Sequence, residues 1–196
     1  MRQNVSLEHA SRLVNHGPTV LVSSAHGGKR NVMAAAWSMP VEFTPPRIAV
    51  VIDKSTYTRE LITASGMLAL SLPCRANADT AYTVGSVSGR DCTEGRDKFD
   101  EYGIGYFAGP DLGLPLVEGC VAWMECKVLN EPSTEMKYDT FFVEVVSAQA
   151  DARVFSNGRW QLTTDNASLH TLHHLGAGMF AVASQTVQAQ NLAKRA

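Results

Sequence analysis

Short apolar runs and two-residue alternations, rather than long helical periods, dominate this chain. Thr19–Ser24 (TVLVSS) is β-rich, Gly27-Gly28 reads as a hairpin turn, and Asn31–Met39 is its expected return strand. Pro45-Pro46 breaks the chain. Ile48–Ile52 (IAVVI) is then a fully apolar run whose length and β-branching suit a buried strand better than a helix. Met67–Leu72, Cys120–Leu129 and Phe141–Val146 complete the longer strand candidates. In Cys120–Leu129, alternation sets Cys120, Ala122, Met124, Cys126 and Val128 on one face and Val121, Trp123, Glu125, Lys127 and Leu129 on the other. Glu125 and Lys127 are therefore expected on a partly solvated face.

Helical signals are short. Ser6–Asn15 predicts a helix with Ser6 as N-cap, stopped by His16-Gly17-Pro18. The hydroxyl cluster Ser55-Thr56-Tyr57-Thr58 precedes Arg59–Ser65 with Leu61, Ile62 and a closing Gly66, the pattern of a capped helix. Ala78–Val84 follows Asn77 as a cap and carries Asp79 in its first turn, and Asp97–Tyr102 predicts one more turn or two. Many short strands with few helices between them favour a mainly antiparallel barrel over a parallel sheet. No repeat or linker divides residues 1–196, so one domain is expected, with 1–18 as a helical lead-in and 184–196 as a tail.

Composition narrows this picture only slightly. At 196 residues the chain is long enough to bury roughly 70% of its unfolded surface. A net charge of -2 argues against a nucleic-acid footprint. No apolar run approaches the 18 or so residues of a membrane span, and no apolar stretch opens the chain, so neither a membrane protein nor a signal peptide is expected. Cys74, Cys92, Cys120 and Cys126 have no C-x-x-C spacing and are read as reduced structural thiols of a cytoplasmic protein.

The familiar catalytic motifs are missing. Gly103, Gly105 and Gly109 lack dinucleotide-binding spacing, there is no P-loop, and Gly85-Ser86-Val87-Ser88-Gly89 has Val87 where a nucleophile elbow needs serine. His170, His173 and His174 have helical metal-ligand spacing but no acidic or thiol neighbour in sequence, so no metal is assigned. Four features remain. Asn31–Ser38 (NVMAAAWS) is a strand of small side chains that would let a flat ligand lie against backbone N–H and C=O groups. Ser55–Thr58 puts hydroxyls and free N–H groups at a helix start, a phosphate-binding arrangement. Ser88-Gly89-Arg90-Asp91, with Asp97-Lys98-Phe99, pairs a close backbone approach with cations. Leu172–Phe180, with Gly176 and Gly178, suggests a loop folded over something.

In this order the stretches NVMAAAWS, TPPRIAVVI, STYTRELI, SGRDCTEGRDKF, GCVAWMECKV and HLGAGMF resemble the flavin reductase family of FMN-binding split-barrel proteins. That group includes flavoredoxins and the reductase components of two-component monooxygenases. The resemblance implies a six-stranded antiparallel, Greek-key-like split barrel that forms a homodimer with FMN at the subunit interface. It puts Asn31 and Trp37 at the flavin, with the backbone of Ala35, Ala36 and Ser38 facing the ring. Ser55, Thr56, Tyr57 and Thr58 fall at the phosphate end beside Ser88 and Gly89. Lys98 falls at the phosphate or ribityl chain, and Phe180 near His174 falls close to the ring. Many members carry a histidine where this chain has Thr140.

The activity so implied is NAD(P)H:flavin reduction, with NADH or NADPH as donor and a monooxygenase or other redox protein as a possible acceptor. A flavoredoxin-like carrier with tightly held FMN, and a split barrel that binds a planar ligand without redox chemistry, are the alternatives.

Overall fold

The computed structural model describes residues 17–191 and 193; the expected helix Ser6–Asn15 lies outside them. Strand β1 (Val20–His26) turns at Gly27-Gly28 into β2 (Lys29–Ala35). Both glycines have positive φ, 57° and 76°, which a two-residue hairpin turn of this kind demands. The expected strand Asn31–Met39 is interrupted at Ala36-Trp37, after which β3 (Ser38–Phe43) pairs with β4 (Pro46–Val51). Helix α1 (Tyr57–Ser65) and β5 (Met67–Leu72) follow, then α2 (Ala78–Ser86) and the short α3 (Lys98–Glu101). The hairpin β6 (Tyr106–Ala108)–β7 (Pro115–Val117) leads to β8 (Ala122–Val128), α4 (Pro132–Tyr138) and the long β9 (Thr140–Ala150). Two more hairpins close the chain: β10 (Phe155–Ser156)–β11 (Arg159–Trp160) and β12 (Leu172–Gly176)–β13 (Met179–Val182).

The main sheet is antiparallel throughout, in the order β2-β1-β5-β8-β9-β4-β3. Its first and last strands are consecutive in sequence. Ala35 and Ser38 are three residues apart, a reach of at most about 10 Å, so the two ends of the sheet must come together there. They do so without pairing, which makes the sheet a barrel split at Ala36-Trp37. The mainly β, antiparallel architecture is the expected one. The strand count is seven rather than six because that split divides one predicted strand into two.

Alternation along β1 builds two cores. Val20 and Val22 face the barrel interior with Val50, Ile62, Leu70 and Phe141, beneath α1. Leu21 faces outward and packs with Val32, Val84, Phe99 and Leu172, under α2, α3 and β12. Each such side chain contributes about 1.5–3 kcal/mol by leaving water. Helix α1 is held at both ends as its sequence predicts: Thr56 Oγ1 accepts from the Arg59 N–H, and Gly66, at φ 69°, returns its N–H to the Ile62 carbonyl at 2.8 Å.

Three local expectations are corrected. Glu125 is fully buried rather than half-solvated, because the loop 109–114 folds over β8 and donates the Asp111 and Leu112 N–H groups to its carboxylate, each at 2.9 Å. Asn77 precedes α2 but makes no side-chain cap; its Oδ1 turns back to accept from Cys74 N. His170, His173 and His174 share no helical face. His173 and His174 are neighbours on strand β12, and His170 is buried before it, with Nε2 2.9 Å from both the Thr163 carbonyl and Asn166 Oδ1.

Candidate functional site

The edge strand β2 forms a groove with the second half of α2. The start of α1 closes one end, and the β12–β13 hairpin closes the other. Two cavities share Gly85 and Ser86 of α2 as a common wall, with volumes of about 210 Å³ and 230 Å³. Each is smaller than a usual site for a drug-sized ligand, but joined they reach that range.

The lower cavity is the more polar of the two. Its walls include Asn31, Ser55, Thr58, Gly89 and Lys98. Asn31 is buried and donates Nδ2–H to the equally buried Thr58 Oγ1 at 2.8 Å. The Asn31 Oδ1 has no hydrogen-bond partner among the described residues. Gly89 lies against that oxygen; a Cβ there would come within 2.3 Å of it and 2.8 Å of the Tyr57 ring, so glycine is what leaves room. Lys98 leads α3, and its ammonium group runs under the groove to the carbonyls of Val32 (2.9 Å) and Val84 (2.7 Å), one from each wall. Only 2% of its surface is exposed, and burial draws its pKa down from the ordinary lysine range to about 8.

At the mouth of this cavity the hydroxyls and cations already have partners. Ser55 Oγ donates to Asp53 Oδ1 at 2.6 Å, and this bond with the Ser55 N–H holds the Asp53 carboxyl below its usual range. Thr56 Oγ1 donates to the Asp53 carbonyl. Arg90 is bonded to Glu60 and to the Ser55 carbonyl. Ser88 Oγ accepts from the Arg90 N–H, starting one helical turn over Gly89–Asp91.

The upper cavity is built from small side chains. Ala34, Ala35 and Ala36 face Ala81 and Gly85, and Gly85 is tight enough that a Cβ would meet Ala34 Cβ at 3.1 Å. Its rim is Tyr82 on one side and His174 with Phe180 on the other; those two rings sit opposite each other on β12 and β13, with centroids 5.3 Å apart. The predicted covering loop is thus a hairpin, turned by Gly176-Ala177-Gly178. Thr19 is buried at the same end, and its hydroxyl has no partner among the described residues.

Of the fourteen positions singled out from sequence, Asn31, Ala35, Ala36, Ser55, Thr56, Tyr57, Thr58, Ser88, Gly89, Lys98, His174 and Phe180 converge on this groove. Trp37 and Ser38 do not line it. Trp37 stands half-exposed at the barrel split, and Ser38 begins β3. Thr140 also lies outside the lining; its hydroxyl donates to the Tyr138 carbonyl at 3.0 Å.

Comparison with known proteins identifies the family. The model of the flavin reductase like domain matches residues 12–173. The chain belongs to that family. A relative from Escherichia coli K12, the uncharacterised protein YddH, is 56% identical over 188 residues, covering 94% of this chain and 96% of that one. Among solved structures, an FMN-binding domain of a flavin reductases-like enzyme from Shewanella baltica is 41% identical. It covers 95% of this chain and 96% of its own, with a TM-score of 0.84. Flavoredoxin of Desulfovibrio vulgaris, at 24% identity and a TM-score of 0.75 over 90% of this chain and 92% of that one, shares the fold.

Within this flavin reductase-like domain, sequence reading missed Thr19, Tyr82 and Gly85 as groove residues. The signal for Gly85 was present: the stretch Gly85–Gly89, dismissed as a nucleophile elbow, lines the lower cavity throughout, and its first two residues also wall the upper one. Tyr82 and Thr19 carried no local signal, since only the packing of α2 and β12 against β2 brings them in.

Proposed function

We propose that the groove binds FMN and that the protein is an oxidoreductase that reduces it with NADH or NADPH. The division of the groove is the observation that carries this reading. One end is walled by alanine and glycine and admits a flat ring. The other is richer in polar side chains, ends at a helix start, and holds a buried carbonyl oxygen, Asn31 Oδ1, that lacks a donor among the described residues. A planar head on a polar tail fits that arrangement, and the paired volumes suit it. Ala35 and Ala36 would lie against the ring, His174 and Phe180 at its edge, and Ser55–Thr58, Ser88, Gly89 and Lys98 along the tail.

Bound FMN supplies the chemistry, as an acceptor at N5 for the hydride of nicotinamide C4. The chain's own task is placement. Small residues keep the ring face open for a stacked nicotinamide, and holding reacting atoms about 3–3.5 Å apart provides most of the acceleration such a transfer needs. A homodimer is part of the proposal. Met39 and Phe43 on edge strand β3, beside the exposed Trp37, present apolar surface (Phe43 is 94% exposed) that a second copy would cover. A monooxygenase or similar redox protein would take the reduced flavin.

Anaerobic mixing of the purified protein with FMN and NADH or NADPH tests the activity. The flavin absorbance should bleach with at least one donor, and failure with both defeats the reductase reading. Thr140, standing where many family members carry a histidine, favours one alternative, a carrier with resident FMN reduced by another protein. Flavin that stays with the protein through gel filtration, and ignores both donors, would establish that reading instead.

A further inference from the structure

Resting on the reading of the first two cavities as a flavin site, we propose that a third groove beside them binds the adenosine phosphate half of a dinucleotide. Its volume is about 460 Å³, close to that of the other two together, and lies by itself in the range of small-molecule sites. Tyr57 and Gly89 line both this groove and the lower cavity, so it begins where the tail end of the flavin site stops. The three spaces form one row, for a ring, for a tail, and for something FMN does not carry.

Both signs of charge line the third groove: Lys29, Arg30 and Arg96 against Asp97 and Asp100. Arg30 is fixed in place. It pairs with Asp97 and, at 3.0 Å, with Asp100 Oδ1, and its guanidinium lies 4.3 Å from the centre of the Tyr106 ring. The others keep unused capacity. Lys29, exposed beside the β1–β2 turn, has no ion-pair partner among the described residues. Arg96 bonds the Asp100 carbonyl through Nη2 and pairs with Glu101 through Nε at 3.5 Å, which leaves Nη1. Asp100 Oδ2 accepts no hydrogen bond among the described residues. Cations with spare donors suit a phosphate, and a carboxylate oxygen suits a ribose hydroxyl. A bare anion leaves Asp100 unmatched, and a cation meets Lys29 and Arg96. A nucleoside phosphate matches both. FAD and NAD(P)H each end in that group: FAD would enter from the end of the flavin tail, and the donor from a nicotinamide stacked on the ring.

Calorimetric titration of the full chain with ADP, which carries the group shared by both dinucleotides, tests the groove. Wild type should bind ADP saturably, and inorganic pyrophosphate at least about tenfold more weakly. The combined variant Lys29→Ala, Arg96→Ala alters two exposed side chains and should weaken ADP about tenfold or more, without moving FMN affinity. Two further arms separate the sources. If FAD is the natural occupant, wild type binds it about tenfold more tightly than FMN, and the variant loses that advantage. If the donor is, FAD and FMN bind alike, and the variant raises the KM for NADH or NADPH about tenfold. The inference is overturned if ADP does not bind, if pyrophosphate binds as tightly as ADP, or if the variant leaves ADP, FAD and both KM values unmoved. FMN binding alongside any of those results keeps the flavin reading intact, whereas a protein that binds no FMN overturns that reading itself.

Discussion

Two charged side chains are fully buried in the described part of this protein, and they are satisfied to different degrees. Glu125 lies under the loop 109–114 and accepts the N–H groups of Asp111, Leu112 and Leu114 at 2.9, 2.9 and 3.3 Å. The fit leaves no room for anything else: a Cβ on Gly109 would come within 2.1 Å of the carboxylate. Lys98 also bonds only to backbone, but it keeps a donor in reserve and faces a cavity. A buried charge saturated by its own chain is an anchor. One left short of partners at a cavity wall has a place for a ligand. The contrast matters because sequence alone invites the reverse reading, with Glu125 on an open face and Lys98 pairing with an anion.

The comparison can be broken by removing each element in turn. Glu125→Ala strands three N–H donors in an apolar setting and should give the largest loss of stability, about 3 kcal/mol or more in urea unfolding. None of the residues it holds lines the candidate groove, so FMN affinity of the folded protein should be unchanged. A loss below about 1 kcal/mol would mean that the loop is held by its apolar contacts instead. Gly89→Ala comes next. Its methyl group would collide with Asn31 Oδ1 and the Tyr57 ring, and overpacking of this kind costs about 1–3 kcal/mol. Here flavin affinity should fall with stability, opposite to Glu125→Ala. Thr56→Ala removes the cap of α1 and should cost about 1 kcal/mol, read from the same unfolding curves.

These sites also mark where sequence was informative. The β1–β2 hairpin, α1 with its two caps, and β5 follow from residues close together in the chain: Gly27-Gly28, Thr56 and Gly66 each settle a turn or an end without help from elsewhere. The candidate groove was legible for the same reason, since its small and hydroxyl-bearing stretches are short and distinctive. Features that depend on distant packing were not. Period-2 alternation placed Glu125 correctly on its face of β8, but could not show that residues 109–114 cover that face. The histidines of 170–174 fit helical spacing numerically, yet Leu172–Gly176 pairs with β13 and the helix never forms. Tyr82 enters the groove only because Ala81 and Val84, on α2, are buried against Val32 and Leu21.

The smallest expected effect is a slope, and it tests whether Lys98 carries its charge in the buried position. Its folded pKa of about 8 lies below the ordinary 10.5 because burial penalises the cation. Between these values the unfolded chain binds more protons than the folded one, so this group makes stability rise with pH. The gain is complete above pH 10.5 and is lost as pH falls through 8. Cysteines and tyrosines titrate in the same window, so the quantity to measure is the difference between wild type and Lys98→Met. Wild type should gain stability relative to the variant from pH 8 to 10.5 and run parallel to it below. A flat difference across that window would mean that Lys98 holds its proton as firmly as an exposed lysine, and the Val32 and Val84 carbonyls then offset the whole of its burial.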